Sequence, residues 1–263
     1  MRVFVTGGIG FVGSHLVDRL VATGHDVTVY DSYTNPHVRK AIDRRNWVNQ
    51  PHVVIGNLLN SLTLKEALRE SNPDIVYHLA ARADVRATPS AAFDNNVRGT
   101  FELLEAMRET GVRRIAFASS GSVYGETTII PTPENAPFPL QTSLYSASKV
   151  AGEALIQAYC SSYGFQGYIF RFVSLLGERY THGHVLDFYR KLQRDPRQLE
   201  VLGDGQQQKS YLYVHDAIDA MFLATANTAY PVYIYNLGTD EYCKVNDSIR
   251  WIAEALGIPR PIC

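Results

Sequence analysis

Thr6-Gly7-Gly8-Ile9-Gly10-Phe11-Val12-Gly13 is the stretch on which the reading of this chain turns. It follows a β-branched run, Arg2–Thr6, and opens a segment of helical period, Phe11–Ala22, so it is a tight strand-to-helix turn. Glycines at 7, 10 and 13 leave backbone N–H groups bare, and the helix start adds positive partial charge; together these can hold a pyrophosphate. Such turns need glycine for steric reasons as well, and the spacing is GxxGxxG rather than the commoner GxGxxG, so the weight comes from position after the first strand. Asp31 ends the second strand roughly 20 residues further on, where a carboxylate would accept hydrogen bonds from ribose hydroxyls and repel a 2′-phosphate. That selects NAD over NADP.

Outward from the turn the same rhythm continues. Asp26–Tyr30, His52–Ile55, Asp74–Leu79, Arg113–Ala118 and Gly167–Phe172 read as strands; Leu62–Glu70, Ala91–Glu109 and Tyr145–Tyr163 read as helices between them. Apolar strands separated by helices predict an α/β fold, a doubly wound parallel sheet of Rossmann type, with ligands at the carboxyl ends of the strands. After Phe172 the pattern loosens through Leu176–His184, a helix near Val185–Arg194, a turn at Gly203–Gly205, a strand at Ser210–Val214 and a helix at Asn246–Leu256. The expected organisation is an NAD-binding domain over 1–173, with 210–240 returning to it, and a smaller, partly interleaved substrate lobe from 174–209 and 241–263.

The 263 residues are 46% hydrophobic with a net charge of −1, enough to bury a full core. Charges alternate without blocks, which excludes the footprint of a nucleic-acid or membrane-surface binder and leaves a small molecule as partner. Cys160, Cys243 and Cys263 form no paired framework, as in a reducing compartment, and cytoplasm is the expected location. The opening apolar run is broken by glycines and followed by Asp18 and Arg19, so it reads as folded protein, and no run is long enough to span a bilayer. No His, Cys and carboxylate grouping has metal-ligand spacing, and no metal is expected.

Tyr145-Ser146-Ala147-Ser148-Lys149 sets a phenol and an ammonium one helical turn apart on a common face. A tyrosine working as a base near neutrality needs its pKa depressed by roughly 3 units, about 4 kcal/mol, which one close cation supplies at an effective dielectric of about 20. Upstream, Ala118-Ser119-Ser120-Gly121-Ser122-Val123-Tyr124-Gly125 offers a hydroxyl at the end of the fifth strand, placed to hold a substrate hydroxyl or developing oxyanion. His182 and His184 read as solvated loop residues, and Tyr211 and Tyr213 as the alternating faces of a half-buried strand.

These residues, with His78-Leu79-Ala80-Ala81, Asn95–Thr100, Arg171–Gly177 and Gly203–Asp216, resemble the extended short-chain dehydrogenase/reductase family, in its NAD-dependent epimerase/dehydratase group. The resemblance runs almost end to end. It implies Ser120 as catalytic serine, Tyr145 as acid/base, and Lys149 as the group that holds the nicotinamide ribose and lowers the tyrosine pKa. It implies an NAD site drawn from Gly7, Gly10, Phe11, Val12, Gly13, Asp31, Ser32, Asn35, Asn57, Leu58, Leu79, Ala80, Ala81, Asn95, Ser119, Tyr145, Lys149 and Val173. Substrate contacts are implied for Ser120, Ser122, Tyr145, Ser174 and Lys209.

Three positions depart from the family pattern: Asn57 replaces an aspartate, Ser174 the asparagine of an RxxN motif near the diphosphate, and Lys209 an arginine, giving a point charge for a fork. Related 4,6-dehydratases carry an Asp-Glu pair where this chain has Gly121 and Ser122, and decarboxylating relatives a glutamate at 122; elimination then lacks its acid and base. The resemblance therefore implies a nucleotide-sugar 4-epimerase of the UDP-glucose/UDP-galactose type, with a UDP-sugar as small-molecule partner and NAD regenerated in each cycle. Alternatives are an NAD-dependent oxidoreductase or other epimerase on a different nucleotide-sugar, or a truncated non-catalytic NAD-binding protein, since family members continue beyond the position of Cys263. The apolar faces of Ala91–Glu109 and Tyr145–Tyr163 resemble the family's paired-helix homodimer interface.

Overall fold

The computed structural model describes residues 1–32, 50–83, 88–138 and 140–258. Along the chain come β1 (Arg2–Thr6), α1 (Phe11–Ala22), β2 (Asp26–Asp31), β3 (His52–Ile55), α2 (Ser61–Ser71), β4 (Ile75–His78), α3 (Gly99–Thr110), β5 (Arg114–Ser120), α4 (Leu144–Tyr163) and β6 (Gln166–Phe172). There follow β7 (Ser174–Leu176), α5 (His184–Arg194), β8 (Gln208–Lys209), β9 (Tyr211–Tyr213), α6 (Val214–Thr225), β10 (Val232–Leu237), β11 (Cys243–Lys244) and α7 (Val245–Ala255).

Met1–Phe172 and Val214–Leu237 form one compact unit. Its seven-stranded sheet has the order β10-β6-β5-β4-β1-β2-β3, and every pairing is parallel. β1, β4, β5 and β6 are apolar through most of their length because helices cover both faces, and Phe4, Tyr30, Leu64, Leu68, Leu103, Met107, Phe117 and Ile156 meet in one buried cluster. The chain runs outward from β1 to β3, then crosses to β4 and runs the other way. The carboxyl ends of β1 and β4 therefore flank the point where strand order reverses, which is where open α/β sheets place ligands.

Local signals set the helices. Ser143 caps α4, its Oγ accepting from the Ser146 N–H at 3.1 Å, and Gly164 ends it in the left-handed region at φ +66°. The expected helix Ala91–Glu109 is a short turn at Pro89–Ala92, a π-helical stretch at Phe93–Arg98, and α3. The widened turn carries Asn96, whose buried amide exchanges hydrogen bonds with the Arg82 backbone and donates to Ser148 Oγ at 3.0 Å.

The second unit is Val173–Tyr213 with the chain from Gly238 onward. It holds a parallel β7–β9 pair, an antiparallel β8–β11 pair, and α5 packed on α7 through Phe188, Leu192, Val245 and Ile249. Residues 211–213 differ from expectation: they pair with β7 in this unit, and the return to the main unit begins at Val214. Among the described residues no helix is long and apolar enough to cross a membrane.

Candidate active site

The glycine turn closes on itself through Gly10 N–H to the Gly7 carbonyl (3.0 Å), and Gly7 N–H binds the Tyr30 carbonyl (2.9 Å). Gly7 sits at φ +68°, and a Cβ there would lie 2.6 Å from the Ala80 nitrogen; at Gly13 it would run into the Gly7 carbonyl and lie 2.8 Å from Gly8 Cα. At Gly10 the added atom would meet only the Gly7 oxygen, at 3.2 Å. Helix α1 starts without a side-chain cap and without an acidic residue in its first turn. The Asp31 carboxylate reaches back to accept from Ile9 N–H at 3.1 Å. A bare helix start, a turn too close for side chains and a carboxylate beside it make a donor and acceptor set that fits the pyrophosphate and ribose of NAD.

A buried hydrogen-bond chain braces this turn. Thr100 Oγ1 gives its one proton to the Asn96 carbonyl (2.6 Å), so it must accept from His78 Nε2–H (3.0 Å). His78 Nδ1 is then an acceptor and takes the Thr6 hydroxyl proton at 2.7 Å, while Thr6 Oγ1 accepts from Ala80 N–H at 3.3 Å. Burial first, and Lys149 second, push the imidazole down to about 3, so it is neutral at working pH.

At the end of β5, Ser122 donates to Ser120 Oγ from both its hydroxyl (3.0 Å) and its backbone N–H (3.2 Å). With those two contacts accepted, the Ser120 hydroxyl keeps its own proton to give, and its proximity lowers the pKa of the Tyr145 phenol. Lys149, buried, donates to the Ala118 carbonyl at 2.7 Å and lies 4.8 Å from the Phe117 ring centroid and 5.6 Å from that of Tyr145. In this arrangement Tyr145 is pushed up to about 12 by burial, against the lowering effect of Ser120, and burial brings Lys149 down to about 8 against the pull of Glu153. The helical spacing alone implies a phenol depressed by one close lysine. Desolvation of the phenol opposes that, and here it outweighs an ammonium tied to a carbonyl.

The structure thus gathers Gly7, Gly10, Phe11, Val12, Gly13, Leu79, Ala80 and Ala81 at the ends of β1 and β4, joined by Asp31, and gathers Ser120, Ser122, Tyr145 and Lys149 after β5. Asn57 is exposed and its Oδ1 caps its own turn by accepting from Leu59 N–H at 3.0 Å; the Leu58 side chain is core, packed on Gly99. Asn95 donates to the Ala91 carbonyl at 2.8 Å, Ser32 is exposed, and Asn35 lies outside the described residues. The Ser119 hydroxyl is committed to Glu153. Val173, beside Gly238, Ser174 at the start of β7 and exposed Lys209 in β8 belong to the second unit.

Arg171, which opens the stretch Arg171–Gly177, is buried in an ion pair with Glu153 (Nη2 to Oε2, 2.7 Å). One reading is corrected. His184 is not a solvated loop residue: it begins α5, half-buried, with Nε2 2.6 Å from the Tyr211 hydroxyl and its ring edge on Phe188. Glu153 is a polar residue the sequence reading passed over, and Asn96 entered it only inside a motif, without a role. Glu153 had a signal, since it follows Lys149 by four residues on one helix face and Arg171 interrupts an apolar strand that must bury it.

The family model for the NAD dependent epimerase/dehydratase family matches residues 3–238. The chain is 34% identical over 271 residues to a UDP-glucose 4-epimerase of Mycolicibacterium smegmatis, covering 98% of this chain and 84% of that protein. It is similar to a solved UDP-galactose 4-epimerase at a TM-score of 0.86 and 38% identity, over 99% of this chain and 84% of that one. The UDP-glucose 4-epimerase of Thermus thermophilus, solved with NAD, superposes at a TM-score of 0.84 with 31% identity, over 100% and 86% of the two chains.

Proposed function

Because the chain belongs to the NAD dependent epimerase/dehydratase family, we infer that it is a nucleotide-sugar 4-epimerase using NAD, with a UDP-sugar of the UDP-glucose/UDP-galactose type as substrate. The observation that carries the reading is the corner after β5. It brings a phenol, a serine hydroxyl and a buried ammonium together, while the two positions following Ser120 are Gly121 and Ser122, with no carboxylate for elimination. The names of the relatives support the same substrate class.

NAD, when bound, supplies a hydride acceptor and, in its oxidised form, a positive charge near the phenol. Its pyrophosphate would be held by the turn Gly7–Gly13 and its ribose by Asp31. Ser120 fixes the sugar O4 through the hydroxyl that Ser122 orients. Tyr145 takes the O4 proton as C4 is oxidised and returns it after the 4-keto sugar has presented its other face. Lys149 keeps a positive charge beneath the phenol, offsetting part of the cost that burial imposes on phenolate. No NADH accumulates, because oxidation and reduction occur in one cycle.

The chain would act in the cytoplasm, a reading supported by Cys160 and Cys243, both free thiols. A homodimer is favoured by α3 and α4, which pack side by side and leave Phe101, Leu144, Ala147, Ala154 and Ala158 exposed. The test is incubation with UDP-, GDP-, CDP- and dTDP-sugars, following C4 stereochemistry by proton NMR and NADH by absorbance. We expect C4 epimers without net NADH, and a loss of about 10³-fold in Tyr145→Phe. Stoichiometric NADH, or a 6-deoxy product, would replace the epimerase reading with an oxidoreductase or a dehydratase.

A further inference from the structure

We propose that Glu153 is a positioning residue for Ser120, Tyr145 and Lys149, acting through the buried ion pair it makes with Arg171. The proposal rests on the reading of those three residues as the reactive set.

Glu153 has no exposed surface and Arg171 only 3%. The carboxylate takes the Ser119 hydroxyl, Arg171 Nε at 3.0 Å and Arg171 Nη2 at 2.7 Å. Ser119 and Arg171 are direct partners across β5 and β6, so one side chain from α4 clamps both strands one residue before Ser120 emerges. Arg171 Nη1 in turn donates to the Tyr124 hydroxyl at 2.6 Å and the Glu134 carbonyl at 2.8 Å, and the guanidinium lies 4.9 Å from the ring centroids of both Tyr124 and Phe138. Tyr124 closes the 3₁₀ turn Gly121–Tyr124 that carries Ser122, and passes its own proton to Asn236 Oδ1 at 2.7 Å. Asn236 N–H returns to the Glu134 carboxylate at 2.9 Å. One charge pair thereby joins the helix bearing Tyr145 and Lys149 to the strand end and the turn bearing Ser120 and Ser122.

A buried ion pair is often no more stabilising than apolar residues of the same volume. What it adds here is a unique geometry, since beyond their mutual bonds the pair holds Ser119, Tyr124 and the Glu134 carbonyl, three different pieces of chain around the reactive corner. Its charge also acts on Lys149. The groups around that ammonium are Tyr145 and Glu153 on its own helix, the Ala118 carbonyl and Phe117 ring on β5, neutral His78 on β4, and Arg171 on β6 behind Glu153. Glu153 supplies the negative charge among them. It opposes the effect of burial and keeps Lys149 protonated to higher pH.

The test compares wild type, Glu153→Gln and Glu153→Asp, all loaded with NAD. Steady-state turnover of the UDP-sugar gives kcat and KM against pH. Independently of any substrate, NMR of ¹³C-labelled lysine, assigned with Lys149→Arg, gives the Lys149 titration. We expect Glu153→Gln to lose at least about tenfold in kcat with KM and bound NAD little changed, and to move both the Lys149 titration and the basic limb of kcat down by about one pH unit. Glu153→Asp should restore the titration while recovering only part of kcat, because it keeps the charge and loses reach. A Glu153→Gln protein with wild-type kcat and wild-type Lys149 titration would overturn the proposal. If the single variant does not fold, the charge-balanced Glu153→Gln/Arg171→Met pair takes its place; a folded pair at wild-type kcat is equally fatal. If wild type turns over no sugar, the epimerase reading fails, and the Lys149 titration alone decides whether Glu153 acts as proposed.

Discussion

The two ends of the site lie in one sheet and are built from opposite materials. The turn after β1 is backbone, glycine and neutral polar groups: Gly7, Gly10, Gly13 and the Thr6–His78–Thr100 chain. The corner after β5 is held by buried charge: Lys149, Glu153 and Arg171. Binding a dianionic pyrophosphate asks only for preorganised N–H dipoles and room. Moving a proton on a sterically ordinary tyrosine asks for a field. The nucleotide end should therefore fail by shape and the chemical end by charge.

Lys149→Met gives the largest separation of the two. It removes the charge but fills similar volume, and should lower kcat by about 10³-fold, the usual range for losing a general base's support. Stability should move the other way. Lys149 is held at about 8 in the folded chain against an ordinary 10.5, so between those values the unfolded chain binds more protons and wild-type stability rises with pH. Below pH 8 the buried charge costs the fold about 3 kcal/mol at most. Thermal melts from pH 7 to 10 should show a rising midpoint in wild type, a flatter one in Lys149→Met, and no loss of stability at pH 7. A variant several degrees less stable at pH 7 would mean that Lys149 is a structural member and the contrast is drawn wrongly.

The nucleotide end is tested by paired glycine changes. Gly13→Ala puts a methyl into the Gly7 carbonyl with backbone on both sides, so nothing flexible can yield. Overpacking of that kind costs about 1–3 kcal/mol, and the bound NAD should be lost with it. Gly10→Ala meets one oxygen at 3.2 Å and otherwise points into open space. It should fold with a wild-type midpoint yet retain less NAD, measured by absorbance of the purified protein. Full NAD retention in Gly10→Ala would show that the open side of the turn is not where the pyrophosphate lies.

The same division explains what the sequence made legible. Gly7–Gly13, Asp31 and the Tyr145–Lys149 spacing are local patterns whose geometry follows from a strand, a turn or a helical repeat, and the alternation of strands and helices was enough to predict the parallel sheet. Partners brought together across the sheet were not legible. Ser119 and Glu153 are 34 positions apart and Glu153 and Arg171 are 18 apart; the register of β5 against β6 and the packing of α4 on both strands make the three neighbours. Asn57, Leu58 and Ser119 show the converse: residues near the right strand ends whose side chains are spent on a turn, the core and a carboxylate. Position along the sequence locates a strand end, but the pleat and the helix above it decide which way a side chain faces.

His78 makes the smallest and sharpest test, because it is a titratable group in the part of the site otherwise built from neutral contacts. Its imidazole is held near 3 against an ordinary 6.5, so below pH 6.5 the unfolded chain takes up a proton that the folded chain refuses. Stability from this group is therefore present above pH 6.5 and is lost as pH falls towards 3, by about 2 kcal/mol at pH 5. His78→Gln keeps a donor for Thr100 without the titration. Denaturant melts at pH 7 and pH 5 should differ less for the variant than for wild type by that amount, with NAD released from wild type over the same interval as the Thr6–His78–Thr100 chain opens. An identical pH dependence in both proteins would mean that the imidazole can take its second proton without breaking the bond to Thr6. The fixed tautomer inferred from Thr100 and Asn96 would then be wrong.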